Sequence, residues 1–90
     1  MEKKKIEPLY CSVDMKGTGQ RLRNLALKAG YTVSDIMEFT GISTQQAIYR
    51  WYRGETLPRI ETLIVLSKIF GVNINNLLVT NEEIADLRIA

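Results

Sequence analysis

Histidine is absent from this chain of 90 residues, and cysteine occurs once, as Cys11. One thiol makes no intrachain disulfide, and without histidine it makes no Cys/His metal site. A reducing cytoplasm is the expected setting. No apolar run approaches the length of a membrane span. The Lys3–Lys5 start resembles the opening of a signal peptide, but no adequate apolar stretch follows it. Catalytic constellations are missing as well. There is no Gly-rich phosphate loop, no paired carboxylate beyond those at helix starts, and no Ser/Thr nucleophile beside an evident base. Neither an enzyme nor a bound cofactor is therefore expected.

What remains is a single small domain with unevenly placed charge. The formal net charge is +2. Residues 17–59 carry +3, from Arg21, Arg23, Lys28, Arg50, Arg53 and Arg59 against Asp35, Glu38 and Glu55. Residues 60–90 carry −2. A basic segment of this kind fits a polyanionic partner.

Leu9, Cys11, Val13 and Met15 alternate with polar residues and Tyr10, which predicts a short strand. Such a strand does not stand alone in water. Two arrangements are open: pairing with the same strand of a second subunit, or an extended path across the helices. Helix 1 is expected from Gly19 to Ala29, with Thr18 as N-cap, an apolar stripe of Leu22, Leu25, Ala26 and Ala29, and Gly30 as C-cap. Helix 2 is expected from Val33 to Thr40, opened by a Thr32/Asp35 capping box and closed at Gly41. Helix 3 is expected from Thr44 to Arg53, with Ser43 and Gln46 as a second capping box and Ala47, Ile48 and Trp51 buried. Helix 4 is expected from Arg59 to Phe70, with Ile60, Leu63, Ile64, Ser67 and Phe70 inward. A short helix 5 follows from Ile74 to Leu78, with Asn73 as N-cap. Residues 79–90 fit a further helical segment or a strand.

The segment from Tyr31 to Gly54 is the most informative. It reads as two short amphipathic helices joined by a glycine turn, and the polar face of the second carries side chains suited to duplex DNA. A glutamine amide offers a donor and an acceptor together to adenine, and an arginine does the same to guanine.

Several pieces in order, Thr32-Val33-Ser34-Asp35-Ile36, Gly41-Ile42-Ser43, Ala47 to Trp51, Arg53-Gly54, Leu57-Pro58 and Leu63 through Gly71-Val72 to Leu78, resemble the Cro/cI-type helix-turn-helix family. The resemblance covers about residues 17–79. Thr44 to Ile48 also looks like the start of the recognition helix of the phage 434 repressor. Four departures stand out. The turn before helix 3 is one residue longer, Met37 stands where the family usually has a small alanine, Tyr52 stands where it usually has glutamate, and Arg59 follows Pro58 where serine is common.

The resemblance implies an all-α, five-helix, lambda-repressor-like domain at 17–79, between an N-terminal arm at 1–16 and a tail at 80–90. It implies a homodimeric transcriptional regulator of double-stranded DNA whose helix 3 lies in the major groove. Repression by promoter occlusion is the simplest mechanism. Candidate base contacts are Thr44, Gln45, Gln46, Tyr49 and Arg50, with Gln46 open between base contact and helix cap. Candidate phosphate contacts are Thr32, Ser34, Arg53, Thr56 and Arg59. Arg21 and Arg23 read as surface charges, and Lys3–Lys5 as an arm adding non-specific affinity or a solubilising tail. The rival reading is an antitoxin-like module that binds a protein partner through residues 9–15 or the apolar residues Ile84, Leu87 and Ile89.

Overall fold

The computed structural model describes Ile6 and residues 8–84, with side chains as far as Asn81. Lys3–Lys5, Leu87 and Ile89 lie outside the described residues, as does the side chain of Ile84. The order of elements is a strand β1 (Leu9–Val13), helices α1 (Met15–Ala29), α2 (Val33–Thr40), α3 (Gln45–Arg53) and α4 (Ile60–Phe70), a 3₁₀ turn (Ile74–Asn76), and a strand β2 (Thr80–Ile84). The class is mostly helical, as expected. The fifth helix is reduced to that one 3₁₀ turn, and Asn73 makes no side-chain cap there.

Helix α1 begins a full turn earlier than the sequence pattern predicts. The Asp14 carboxylate accepts from the Gly17 N–H at 2.9 Å, so Asp14 and not Thr18 is the N-cap. Thr18 is fully buried inside the helix, where its hydroxyl accepts the Val79 N–H at 2.9 Å. The Asp14 N–H donates to the Val79 carbonyl at 2.8 Å. These bonds tie the chain just before β2 to the first turn of α1. The same tie explains the partner of β1. It pairs antiparallel with β2 of its own chain, Leu9 opposite Ile84 and Val13 opposite Thr80.

Glycines set two critical geometries. Gly41, at φ 75°, closes α2 and starts the turn into α3, a conformation that costs a side-chain-bearing residue energy. Gly19 lets α1 lie directly on the end of α3. A Cβ there would sit 2.7 Å from the Tyr52 carbonyl oxygen and would also strike that of Trp51.

The core gathers Leu22 and Ala26 of α1, Ile36 of α2, Ile48 and Trp51 of α3, Leu63 and Leu66 of α4, and Leu77. Burying each of the larger aliphatic side chains contributes on the order of 1.5–3 kcal/mol. Ala29, expected in the stripe of α1, is exposed. Helix α4 is rotated from its expected setting. Leu63 and Leu66 face the core, whereas Ile60 and Ile64 are 61% and 41% exposed. The sequence IETLIVLSKIF is apolar on nearly every side, so periodicity alone does not choose its buried face. Among the described residues no helix is long and apolar enough to cross a membrane.

Candidate nucleic-acid interface

Helix α3 presents one polar face because the opposite one is committed to the core. Ile48 and Trp51 are buried and Ala47 is half-buried. That fixes Gln45, Gln46, Tyr49, Arg50 and Arg53 on the exposed side. The longer turn places Ser43 outside the helix and makes Thr44 the N-cap, its hydroxyl accepting the Ala47 N–H at 3.4 Å. The expected Ser43/Gln46 capping box is therefore not formed. Gln46 sits at the second helical position with no capping bond among the described residues, so its amide is available to a ligand. The Thr44 hydroxyl keeps its own proton for an outside acceptor while it caps the helix.

The candidate phosphate contacts are spread over three helix ends. Thr32 caps α2, accepting the Asp35 N–H at 3.1 Å while Asp35 accepts the Thr32 N–H at 2.9 Å. Ser34 is exposed in the first turn of that helix. Thr56 is exposed beyond α3, its N–H reaching back to the Arg50 carbonyl at 3.5 Å. Arg59 is exposed at the N-cap position of α4, with an extended backbone and no side-chain capping bond. The first N–H groups of α4 and a guanidinium thus share one end of the helix, an arrangement that favours an anion.

Arg53 is differently placed. Its Nε donates to one Glu55 oxygen at 2.7 Å and its Nη2 to the other at 3.3 Å. Both groups are exposed. The hydrogen bond to Glu55 raises the Arg53 pKa, and the hydrogen bond from Arg53 holds the Glu55 carboxyl below its ordinary value, with Arg50 adding to the effect. A phosphate reaching Arg53 has to displace Glu55.

Arg23, Tyr31 and Tyr52, absent from the sequence-derived set, join the site. A groove of about 440 Å³ runs between α1, α3 and the start of α2. Arg23, Tyr31, Thr32, Tyr49, Tyr52 and Arg53 line it, over a floor that includes Ala26 and Val33. Tyr49 and Tyr52 meet edge to face, ring centroids 6.4 Å apart. Burial pushes the Tyr52 hydroxyl pKa up, and the charge of Arg23 partly offsets that rise. Arg23 is therefore beside the same surface as Thr32, Tyr49 and Arg53. Arg21, the other arginine of α1, is turned away and donates to the Asn76 carbonyl at 3.1 Å. In the sequence the two look alike. Only the α1–α3 contact separates them, and the tyrosine in place of glutamate at position 52 was the one available hint.

The arrangement of α2, the turn and α3 is that of a helix-turn-helix, and a family model for the Cro/C1-type helix-turn-helix DNA-binding domain matches residues 21–83. The chain belongs to that family. The match runs from α1 into β2 and leaves β1 outside. Among solved structures, the chain is similar to the restriction-modification controller protein C.AhdI from Aeromonas hydrophila, with 20% identity over 71% of this chain and 96% of that one, at a TM-score of 0.63. It is also similar to the DNA-binding domain of BldD, with 23% identity over 71% of this chain and 92% of that one, at a TM-score of 0.58. The BldD DNA-binding domain of S. venezulae gives the same identity and TM-score. At these identities the likeness shows the fold. No curated protein matches.

Proposed function

We propose that this Cro/C1-type domain is a sequence-specific regulator of transcription that inserts α3 into the major groove of duplex DNA and represses by occluding a promoter. The observation that carries this reading is the division of α3. Ile48 and Trp51 lock one side into the core, which holds Gln45, Gln46, Tyr49 and Arg50 outward on a rigid element. Gln45, Gln46 and Arg50 then read base edges, each good bidentate pair being worth roughly 1–3 kcal/mol of discrimination. Thr44 and Tyr49 complete the contacts at either end of that surface. Thr32, Ser34, Thr56 and Arg59 grip phosphates on both sides of the groove, with Arg53 contributing once Glu55 is displaced. Arg23 joins them from α1. A homodimer reads two half-sites about 34 Å apart, in the cytoplasm where the DNA is.

A second reading has its own observation. Leu57, Ile60 and Ile64 are exposed at and near the start of α4, and a protein partner covering them would make the chain an antitoxin-like module. Selection from a random duplex library at roughly physiological salt decides between the two. Enrichment of a two-fold-symmetric motif is expected. Enrichment of a single half-site keeps DNA reading and removes the dimer. A folded protein that enriches nothing overturns the regulator reading in favour of the protein partner.

A further inference from the structure

The ribbon of β1 and β2 is built unlike the rest of the molecule. Leu9 and Tyr10 are 58% and 57% exposed, and Cys11 and Ser12 are exposed as well, so both faces of β1 carry exposed side chains as far as the half-buried Val13. A two-stranded ribbon with both faces in water is marginal. Strand β2 occupies one edge of β1, and no strand among the described residues occupies the other. Natural edge strands are blunted with charge or proline. The free edge of β1 has neither within it. Its sequence is Leu-Tyr-Cys-Ser-Val, and Pro8 stands just outside as its boundary.

We infer that β1 pairs edge to edge with β1 of a second copy of this chain, antiparallel across a two-fold axis at Cys11, joining two ribbons into a four-stranded sheet. This inference names the contact of the homodimer proposed above and rests on that part of the reading.

Three features select this occupant. The first is charge. Antiparallel pairing through the outer edge of β2, across an axis at its middle residue, would bring Glu82 opposite its own copy, and like charges directly opposite are destabilising. Strand β1 is uncharged and has no such conflict. The second is register. A two-fold axis at the middle residue of Leu9–Val13 pairs all five residues. It sets Leu9 opposite Val13 of the second copy on one face and Tyr10 opposite Ser12 on the other. A slip of one residue sets Leu9 against Ser12 and loses the apolar match. The third is symmetry. A self-complementary strand pairs isologously and closes as a dimer, leaving no open edge of β1 to propagate. The strand lies outside the residues that match the family, so this contact belongs to the N-terminal extension of this chain.

Cys11 makes the arrangement testable in the unmodified chain. Residues facing across the axis have Cα atoms about 4.5–5.5 Å apart, within the roughly 4.4–6.8 Å that a disulfide spans. Sedimentation equilibrium is expected to give twice the chain mass, and mild oxidation with copper phenanthroline to link Cys11 to Cys11. Two variants set the register in a Cys11→Ser background. Leu9→Cys alone places its two thiols roughly 14 Å apart and should not link. A mixture of Leu9→Cys with Val13→Cys should give the mixed disulfide at least about tenfold faster than either variant links to itself. A monomer in sedimentation overturns the inference, and so does a dimer in which Leu9→Cys links to itself as fast as to Val13→Cys. DNA binding measured on the same samples separates the two claims. A monomer that still selects a half-site removes this interface and leaves DNA reading. A linked dimer that selects no DNA leaves the interface and removes DNA reading.

Discussion

Glu55→Gln should strengthen DNA binding, although it deletes the one ion pair among the described residues. In the wild type, Glu55 accepts both Arg53 bonds, at 2.7 and 3.3 Å, and the pair presents no net charge to a polyanion. Both partners are exposed, so the pair adds little to folding. The substitution releases one guanidinium beside the proposed phosphate path. One added phosphate contact steepens the dependence of log affinity on log salt by about 0.9. Between about 50 and about 200 mM salt, the variant should therefore lose roughly 3.5-fold more affinity than the wild type, having started from a higher value. Fluorescence anisotropy on a selected duplex and on an unrelated one measures both slopes, and the gain should appear on both. Acidification to about pH 5 should not mimic the substitution. The Glu55 pKa is lowered by the bonds from Arg53, so whatever the pair contributes is present above the unfolded value and lost only as pH falls through the lower folded one. Parallel log–log lines for the two proteins would refute the idea that Glu55 withholds Arg53 from phosphate.

Gln46→Ala and Arg50→Ala should relax preference at one or two base pairs, whereas Arg23→Gln and Arg59→Ala should weaken all sequences alike and flatten the salt slope by about 1; repeating the duplex selection and the salt titrations with each variant tells the two classes apart, and uniform loss in all four contradicts base reading. Thr18→Val should lower stability by about 1–3 kcal/mol, because the part-buried Val79 N–H loses its acceptor while the shape is kept. Urea unfolding gives the value, and faster hydrogen exchange at the Val79 amide distinguishes this cause from a general packing defect. Gly19→Ala should cost about 1–3 kcal/mol or more, since its Cβ meets the rigid end of α3 rather than a movable side chain. Thermal unfolding unchanged by that substitution would mean that α1 is not seated against the Trp51 and Tyr52 carbonyls.

Local signals carried most of the helix-turn-helix. The Thr32/Asp35 capping box, the glycines after each helix, and the Ile48 and Trp51 spacing are all readable within a few residues, and each is found where the sequence places it. The misplacements are those that depend on distant partners. Thr18 looks like a helix cap until Val79, 61 residues away, claims its hydroxyl. For residues 79–90 a strand stays open beside a helical segment, because TNEEI lacks the apolar alternation of a half-buried strand that would decide between them. Ile60 and Ile64 were expected inside because α4 has more apolar residues than one face can bury. Within the candidate interface, the face of α3 was legible from its periodicity. The engagement of Arg53 by Glu55 and the approach of Arg23 to Tyr52 were not, since both depend on side-chain placement.

The contacts that escaped sequence reading connect the proposed dimer edge to the proposed reading surface. Strand β1 leads into Asp14, which caps α1 and binds the Val79 carbonyl. Thr18, one turn further, binds the Val79 N–H and so holds the start of β2 to the same helix. Gly19, the next residue, presses α1 onto the carbonyls of Trp51 and Tyr52 at the end of α3. Ribbon, α1 and α3 are thereby joined through backbone groups and the short side chains of Asp14 and Thr18 rather than through long side chains. If two chains associate through β1, the spacing and angle of their recognition helices are set by this path, and half-site spacing is a geometric consequence of it. A domain that dimerised through a mobile arm would tolerate half-sites at several spacings. The chain described here should accept one, and insertion of single base pairs between selected half-sites should abolish binding by the dimer while each half-site remains a weak target for a single subunit.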